Sequence, residues 1–389
     1  MFSSFTNLVK PCGRANIPVR IPNDDTTFNP KEYPNVIFTA KGSMSGKVTL
    51  VHGGSETDET GLGLISTRIW VTRESDKENV VIRPSFDNKT HTFFLEAPNN
   101  WGPNSIYHET LIQYPRSTTS VESLTVEAPA TSLTGTHLQN LLFGNIQTAL
   151  TNASISLEDV RTDTARLHTS NGNINGTFDA GHIELVSSNG SIRAKINIRD
   201  ALDGEQSKAI IKTTNGSFDL HATATETSRG LWMRNSTSNG NLVLGAVLGK
   251  ADRASFIGAT TTNARIDFSL DASQTGQPLE IENRSSNGSI TSSTMVPVNQ
   301  HCRGSAESSN SSVNVNLTEE FQGRFEVETS NASTTVQGTE LTMQQDKKTS
   351  KRGYRIHEGP SEFKVRTSNS SASLSFYPSG HSLAADSKY

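Results

Sequence analysis

Cysteine is nearly missing from these 389 residues: only Cys12 and Cys302 occur. They lie far apart and outside any CxxC or CxxH setting, so neither a disulfide framework nor a zinc site is expected. Hydrophobic residues make up 33% of the chain and aromatic ones 6%, too few for an ordinary globular core. No apolar run approaches the ~20 residues that a membrane helix needs, so no membrane span is expected. The opening MFSSFTNLVKPCGRANIPVR lacks the apolar centre of a signal peptide. The expectation is therefore a cytoplasmic protein, with export by an unconventional route as the alternative. A formal net charge of −4 gives no attraction to nucleic acid. No P-loop, GxGxxG, HExxH, GxSxG or CxxC motif is present, so neither a cofactor nor a metal is expected.

Ser, Thr, Asn and Gly fill the gap, and they fill it periodically. Thr169-Ser170-Asn171-Gly172-Asn173-Ile174 returns as Ser187-Ser188-Asn189-Gly190-Ser191-Ile192, then as TTNGSF, TSNGNL, TTNARI and SSNGSI. Degenerate copies follow at SSNSSV, TSNAST and TSNSSA, and one precedes them in TNASISL. The repeated asparagines are Asn152, Asn171, Asn189, Asn215, Asn239, Asn263, Asn287, Asn310, Asn331 and Asn369. A spacing near two dozen residues suits one strand-turn-strand coil stacked many times.

Within each copy the apolar residues alternate. Ile192, Phe218, Leu242, Ile266 and Ile290 stand three after the Asn, with Leu220, Leu244 and Phe268 two further on. Period two marks a strand with one buried face. Two residues before the Asn comes a hydroxyl, as in Thr169, Ser187, Thr213, Thr237, Thr261, Ser285, Ser308, Thr329 and Thr367. The same alternation turns it inward, where it can bond coil to coil. Asn-Gly is a strong turn signal because both residues tolerate positive φ. Asparagines stacked at ~4.8 Å can also bond as an amide ladder. The rival reading is N-glycosylation, since Asn152, Asn189, Asn215, Asn287, Asn310, Asn331 and Asn369 satisfy N-x-S/T, but that requires a secretory route.

The pattern predicts an all-β chain: a β-solenoid of about ten stacked coils with an irregular β cap at its N-terminal end. Residues 1–35 read as a proline-rich irregular arm, 36–123 as the cap or first irregular coils, and 124–376 as the repeat region. An inserted loop near 338–360 carries Lys347, Lys348, Lys351 and Arg352, read as a solvated charge cluster. Phe363 to Phe376 reads as the last coil, and 377–389 as a disordered tail.

The TSNG/SSNG repeat followed by alternating apolar residues resembles the adhesin-like β-repeat family over about Leu124–Phe376. The entry IQYP…LTVEAP looks most like that family's fungal members. The resemblance implies a β-solenoid and carries no catalytic residues to this chain.

Two carboxylates invite an enzymatic alternative. Asp219 and Asp267 hold equivalent outward positions two coils apart, with Val243 between them. Two strand spacings separate them by ~9.6 Å, beside the ~6.5–9.5 Å of an inverting glycosidase pair. They read as two solvated strand residues with no histidine or arginine nearby in their own coils. His168 and His182 read as surface or turn residues. Trp70 and Trp232, in apolar strand settings, read as core, which leaves Trp101 as the exposed aromatic best placed to stack on a sugar. The leading reading is a non-enzymatic structural or binding protein that presents an extended Ser/Thr/Asn-rich face to a protein or glycan partner. Self-association through the solenoid ends is a further partner reading. The alternative is a carbohydrate-active enzyme, a glycoside hydrolase or lyase, built on Asp219 and Asp267.

Overall fold

A computed structural model of the chain describes residues 17–19, 24–99, 106–227, 229–297 and 301–378. Trp101, Cys12, most of the N-terminal arm and the tail from 379 lie outside the described residues. The chain is all-β: among the described residues, helix is confined to Ser55–Thr60 and a 3-10 turn at Glu74–Asn79. It divides into two compact units, 1–162 with 166–172 and 163–165 with 173–389.

In the first unit, coils do not stack in chain order. Asn35–Lys41 lies parallel between Thr90–Glu96 and Ser120–Ala128. Its companion Ser45–His52 lies parallel between Ile106–Tyr114 and Thr131–Thr136. The earliest coil is thus slotted between two later ones. Beyond it the edge is finished by antiparallel strands: Gly63–Val71 on Ile106–Tyr114, and Val81–Asp87 on Thr90–Glu96. An antiparallel cap stops the parallel ladder from offering its unpaired amides to another chain.

The second unit repeats one coil along the chain. Its post-turn strands run Ile192–Arg199, Phe218–Glu226, Leu242–Leu248, Ile266–Asp271 and Ile290–Met295, each parallel to the next, with one register shift between Asn197 and Arg199 in the first pair. Its pre-turn strands run Ser207–Thr213, Leu231–Ser236, Ser255–Thr261, Leu279–Ser285 and Cys302–Ser308 in the same way. Ile192, Phe218, Leu242, Ile266 and Ile290 form one buried column between them. The opposing pre-turn residues are often small, with Ala209, Ala259 and Ala306 all buried, so the core is thin. That is how so few large apolar residues suffice.

The order changes at the C-terminal end, and the expectation of a final coil at Phe363–Phe376 is corrected. Ser361–Thr367 pairs with Cys302–Ser308 on one side and Gly323–Thr329 on the other. Ala372–Tyr377 likewise sits between Val313–Thr318 and Thr334–Gln337. The last coil in sequence is the penultimate coil in space. The residues read as an inserted loop form a β-hairpin, Leu341–Lys347 with Ser350–Arg355, and the second strand caps Gly323–Thr329 antiparallel.

The turns explain the repeated motif. Each Asn Nδ2 donates to the Oδ1 of the Asn in the coil beneath: Asn215 to Asn189, Asn239 to Asn215, Asn263 to Asn239 and Asn287 to Asn263, each at 2.7 Å. The line continues from Asn310 to Asn287, Asn369 to Asn310 and Asn331 to Asn369, following the spatial order. In the first unit Asn171 donates to Asn152. The buried hydroxyl works twice per coil. Thr213 Oγ1 donates to the Gly190 carbonyl at 3.1 Å and accepts the Gly216 N–H at 3.1 Å. Thr237 does the same with Gly216 and Gly240. The glycine is needed for a reason other than positive φ, which these turn glycines do not adopt. A Cβ on Gly216 would stand 1.9 Å from the Gly190 carbonyl oxygen, and one on Gly240 1.8 Å from that of Gly216. Close approach of the coil beneath selects glycine.

Candidate binding surfaces

Alternation that buries one face of each strand leaves the other outward, and stacking sets equivalent residues side by side. Register carries the Asp219 row of the second unit through Val243, Asp267, Thr291, Asn314, Ser373 and Thr335. The next outward row ends Ser269, Ser293, Asn316, Ser375 and Gln337. Neighbours in this field already bond, as Ser373 Oγ donates to Asn314 Oδ1 at 2.7 Å and Asn316 Nδ2 to Ser293 Oγ at 3.3 Å.

Asp219 and Asp267 stand in that row with Val243 between them, and each faces a guanidinium. Arg193 Nε lies 3.2 Å from Asp219 Oδ2, and Arg265 Nη2 lies 2.5 Å from Asp267 Oδ1. The reading that no arginine stands in their coils is corrected, since Arg265 is two residues from Asp267. Each aspartate is thus engaged with a cation of its own. Among the described residues no group of three or more His, Cys, Asp or Glu could hold a metal. His182 also has an acid that its sequence neighbourhood hid: its Nε2 lies 3.0 Å from Asp203 Oδ2. The backbone N–H of Glu205, and then His182, hold Asp203 below the usual carboxylate range.

The pre-turn face carries a groove of about 950 Å³. Its rungs are the three residues ahead of each ladder Asn: Thr260–Thr262, Arg284–Ser286, Glu307–Ser309, Arg366–Ser368 and Glu328–Ser330. Thr349 and Ser350 of the hairpin close the last rung. The floor is a run of hydroxyls at strand spacing, and one wall is charged. Arg284 bonds Glu282 at 2.9 Å and reaches Glu307 at 3.7 Å. Arg366 lies 2.5 Å from Glu326 and 3.4 Å from Glu328, and Arg352 lies 2.7 and 2.6 Å from the same pair. Burial works to raise the Glu328 pKa, but the hydrogen bond from Arg352 and the charges of Arg352 and Arg366 outweigh it and hold it low. The basic cluster read as solvated therefore contributes Arg352 to an ionic lattice, while Lys351 pairs with Asp346.

Sequence order conceals this wall. The residues three ahead of the Asn read Arg284, Glu307, Glu328, Arg366 along the chain. Stacked in that order, Glu307 would face Glu328. Slotting the last coil between them gives Arg284, Glu307, Arg366, Glu328, with signs alternating. Like charges directly opposite are destabilising, so the ion pairs favour the observed order.

Trp70 and Trp232 are half-buried and face outward, which corrects their reading as core. Trp70 leans on Tyr107 with ring centroids 5.9 Å apart, and Trp232 stacks on Phe256 at 5.8 Å.

No family model and no curated protein matches the chain. Among solved structures it is similar to a protein of Clostridium sporogenes provisionally described as a cell adhesion protein, at 8% identity and a TM-score of 0.17, covering 91% of this chain and 99% of that one. It is also similar to a provisionally described adhesin of Bacteroides fragilis, at 10% identity and a TM-score of 0.32, covering 69% and 95%. At these identities and scores, function has to be argued from the chain's own residues. No helix among the described residues is long and apolar enough to cross a membrane.

Proposed function

We propose that the protein is a non-enzymatic binding protein, a β-solenoid of about ten repeats that presents an extended Ser/Thr/Asn-rich surface to a protein or glycan partner. The pre-turn groove carries this reading: five coils and a hairpin supply one continuous hydroxyl floor, with its flanking charges internally neutralised. Hydroxyls spaced at ~4.8 Å suit an extended chain with its own repeating donors and acceptors. A solenoid offers such a surface without a closed pocket. Asp219, Asp267 and Glu328 are each engaged in ion pairs, which suits a binding surface.

The test fills the groove. Ser309→Trp places a bulky ring on an exposed groove position. An immobilised library of extended peptides and oligosaccharides should contain a ligand retained by the native chain and released by this variant. Reducing-sugar release that disappears in both Asp219→Asn and Asp267→Asn would replace the binding reading with the hydrolase.

A further inference from the structure

At the far end of the pre-turn strands, away from the Asn ladder, lies a second recess, of about 400 Å³. It is lined by Phe256 together with Gln206, Glu280, His301 and Arg303. We propose that this recess, with the Phe256–Trp232 pair as its shelf, is a saccharide-binding subsite. The proposal rests on the binding reading above and gives one ligand class to one place.

A stacked aromatic pair on neighbouring strands is by itself ordinary cross-strand packing. Three features go further. First, the ring of Phe256 reaches over Gly258: a Cβ there would stand 3.0 Å from its Cε1 and Cζ. The glycine leaves room for the ring to lie along the sheet beside Trp232, inclined by 22°. Second, the two charged side chains beside it are uncommitted. Elsewhere on this face Arg284, Arg366 and Arg352 are locked to glutamates. Glu280 and Arg303 are register partners on adjacent strands, yet among the described residues neither has an ion pair. Third, Gln206 is anchored by its Nε2, which donates to the Ala254 carbonyl at 2.9 Å. Its Oε1 remains an acceptor at the rim.

The combination matches a pyranose. One face of a sugar ring is lined with C–H groups that stack on an aromatic, and its edge hydroxyls both donate and accept. An amide, a carboxylate, an imidazole and a guanidinium around one ring supply both partners. A purely apolar ligand would leave these groups unpaired, at a cost. A nucleotide would bring phosphate against Glu280 and a net-negative chain. The volume lies within the range of small-ligand sites.

The experiment uses the full chain and hexasaccharides of β-linked glucose, β-linked N-acetylglucosamine and α-linked mannose, titrated by calorimetry. At least one should bind, and Trp232→Ala and Phe256→Ala should each weaken it about tenfold. Glu280→Gln and Arg303→Gln are surface changes that leave the fold intact, and each should weaken the same sugar. Ser309→Trp, in the other groove, should leave it unchanged. Equal affinity in the shelf and polar variants overturns the subsite while leaving the binding reading standing. So does the absence of saccharide binding in a chain that retains a Ser309-dependent ligand. Failure of both ligands overturns the two proposals together.

Discussion

Replacing Thr237 with valine changes a hydroxyl to a methyl at nearly constant shape. Thr237 is buried; its Oγ1 accepts the Gly240 N–H at 3.2 Å and donates to the Gly216 carbonyl at 3.1 Å. Gly240 is itself buried in the turn, where water cannot take over. Orphaning a buried backbone donor costs about 1–3 kcal/mol. The added methyl contributes less than the ~0.8 kcal/mol of a full methylene transfer, because the site is already dry. Thr237→Val should therefore destabilise by about 1–3 kcal/mol. Thr237→Ser keeps both bonds, loses one methyl, and should cost about 1 kcal/mol or less. Simple apolar burial predicts the opposite ranking. Urea unfolding at matched slopes, with amide exchange followed at Gly240, separates the two. A valine variant as stable as the native chain, or Gly240 exchange no faster than before, would refute the bonding role of the hydroxyl column.

Phe218→Ala empties a fully enclosed core position and should cost about 3–5 kcal/mol by the same unfolding measurement; a loss under half a kcal/mol would mean the facing is wrong. The half-exposed pairs of Asp219 and Asp267 are worth little, so Asp219→Asn and Asp267→Asn should each shift stability by no more than about half a kcal/mol. Acid should weaken the first unit, because burial lowers the pKa of His91 to about 4 and of His108 to about 3. The unfolded chain takes up protons below pH ~6.5 that the buried rings refuse, so stability falls from there toward pH 4 by up to ~1.4 kcal/mol per pH unit for each ring. His91 lies against Phe86 and Phe28 with neither ring nitrogen bonded. Melting scans between pH 7 and 4.5 should show a shallower decline in His91→Phe, and an unchanged decline would contradict the assignment.

The coil was legible because its signals are local. Asparagine spacing gives the period, alternation gives the facing of Phe218 and Ile266, and the hydroxyl of Thr237 points inward by the same parity. What failed was long-range. The partner of Asp219 is Arg193, a coil away, and that of His182 is Asp203, 21 residues on. The turn glycine was legible as a turn signal, but its cause is the carbonyl of the coil beneath, which only stacking reveals. Coil order was hidden most deeply. The chain writes Glu307, Glu328 and Arg366 in succession, and only the slotted coil turns that list into the alternating wall of the groove. Phe256 escaped notice because a lone aromatic in a strand reads as core until Gly258 and the register with Trp232 place it outside.

The groove exists only if the Ser361–Tyr377 coil lies between the coils of Asn310 and Asn331, and paired cysteines measure that directly. Ser368 donates its N–H to the Ser309 carbonyl, and Ser330 donates to the carbonyl of Ser368. Ser309 and Ser368 are thus neighbours about one strand spacing apart, within reach of a disulfide, whereas Ser309 and Ser330 stand two spacings, ~9.6 Å, apart. In a chain freed of Cys12 and Cys302, mild oxidation should cross-link Ser309→Cys with Ser368→Cys in full and leave Ser309→Cys with Ser330→Cys as free thiols. Cross-linking of the second pair in place of the first would show that the coils stack in chain order, and the alternating wall and its groove would fall with that result.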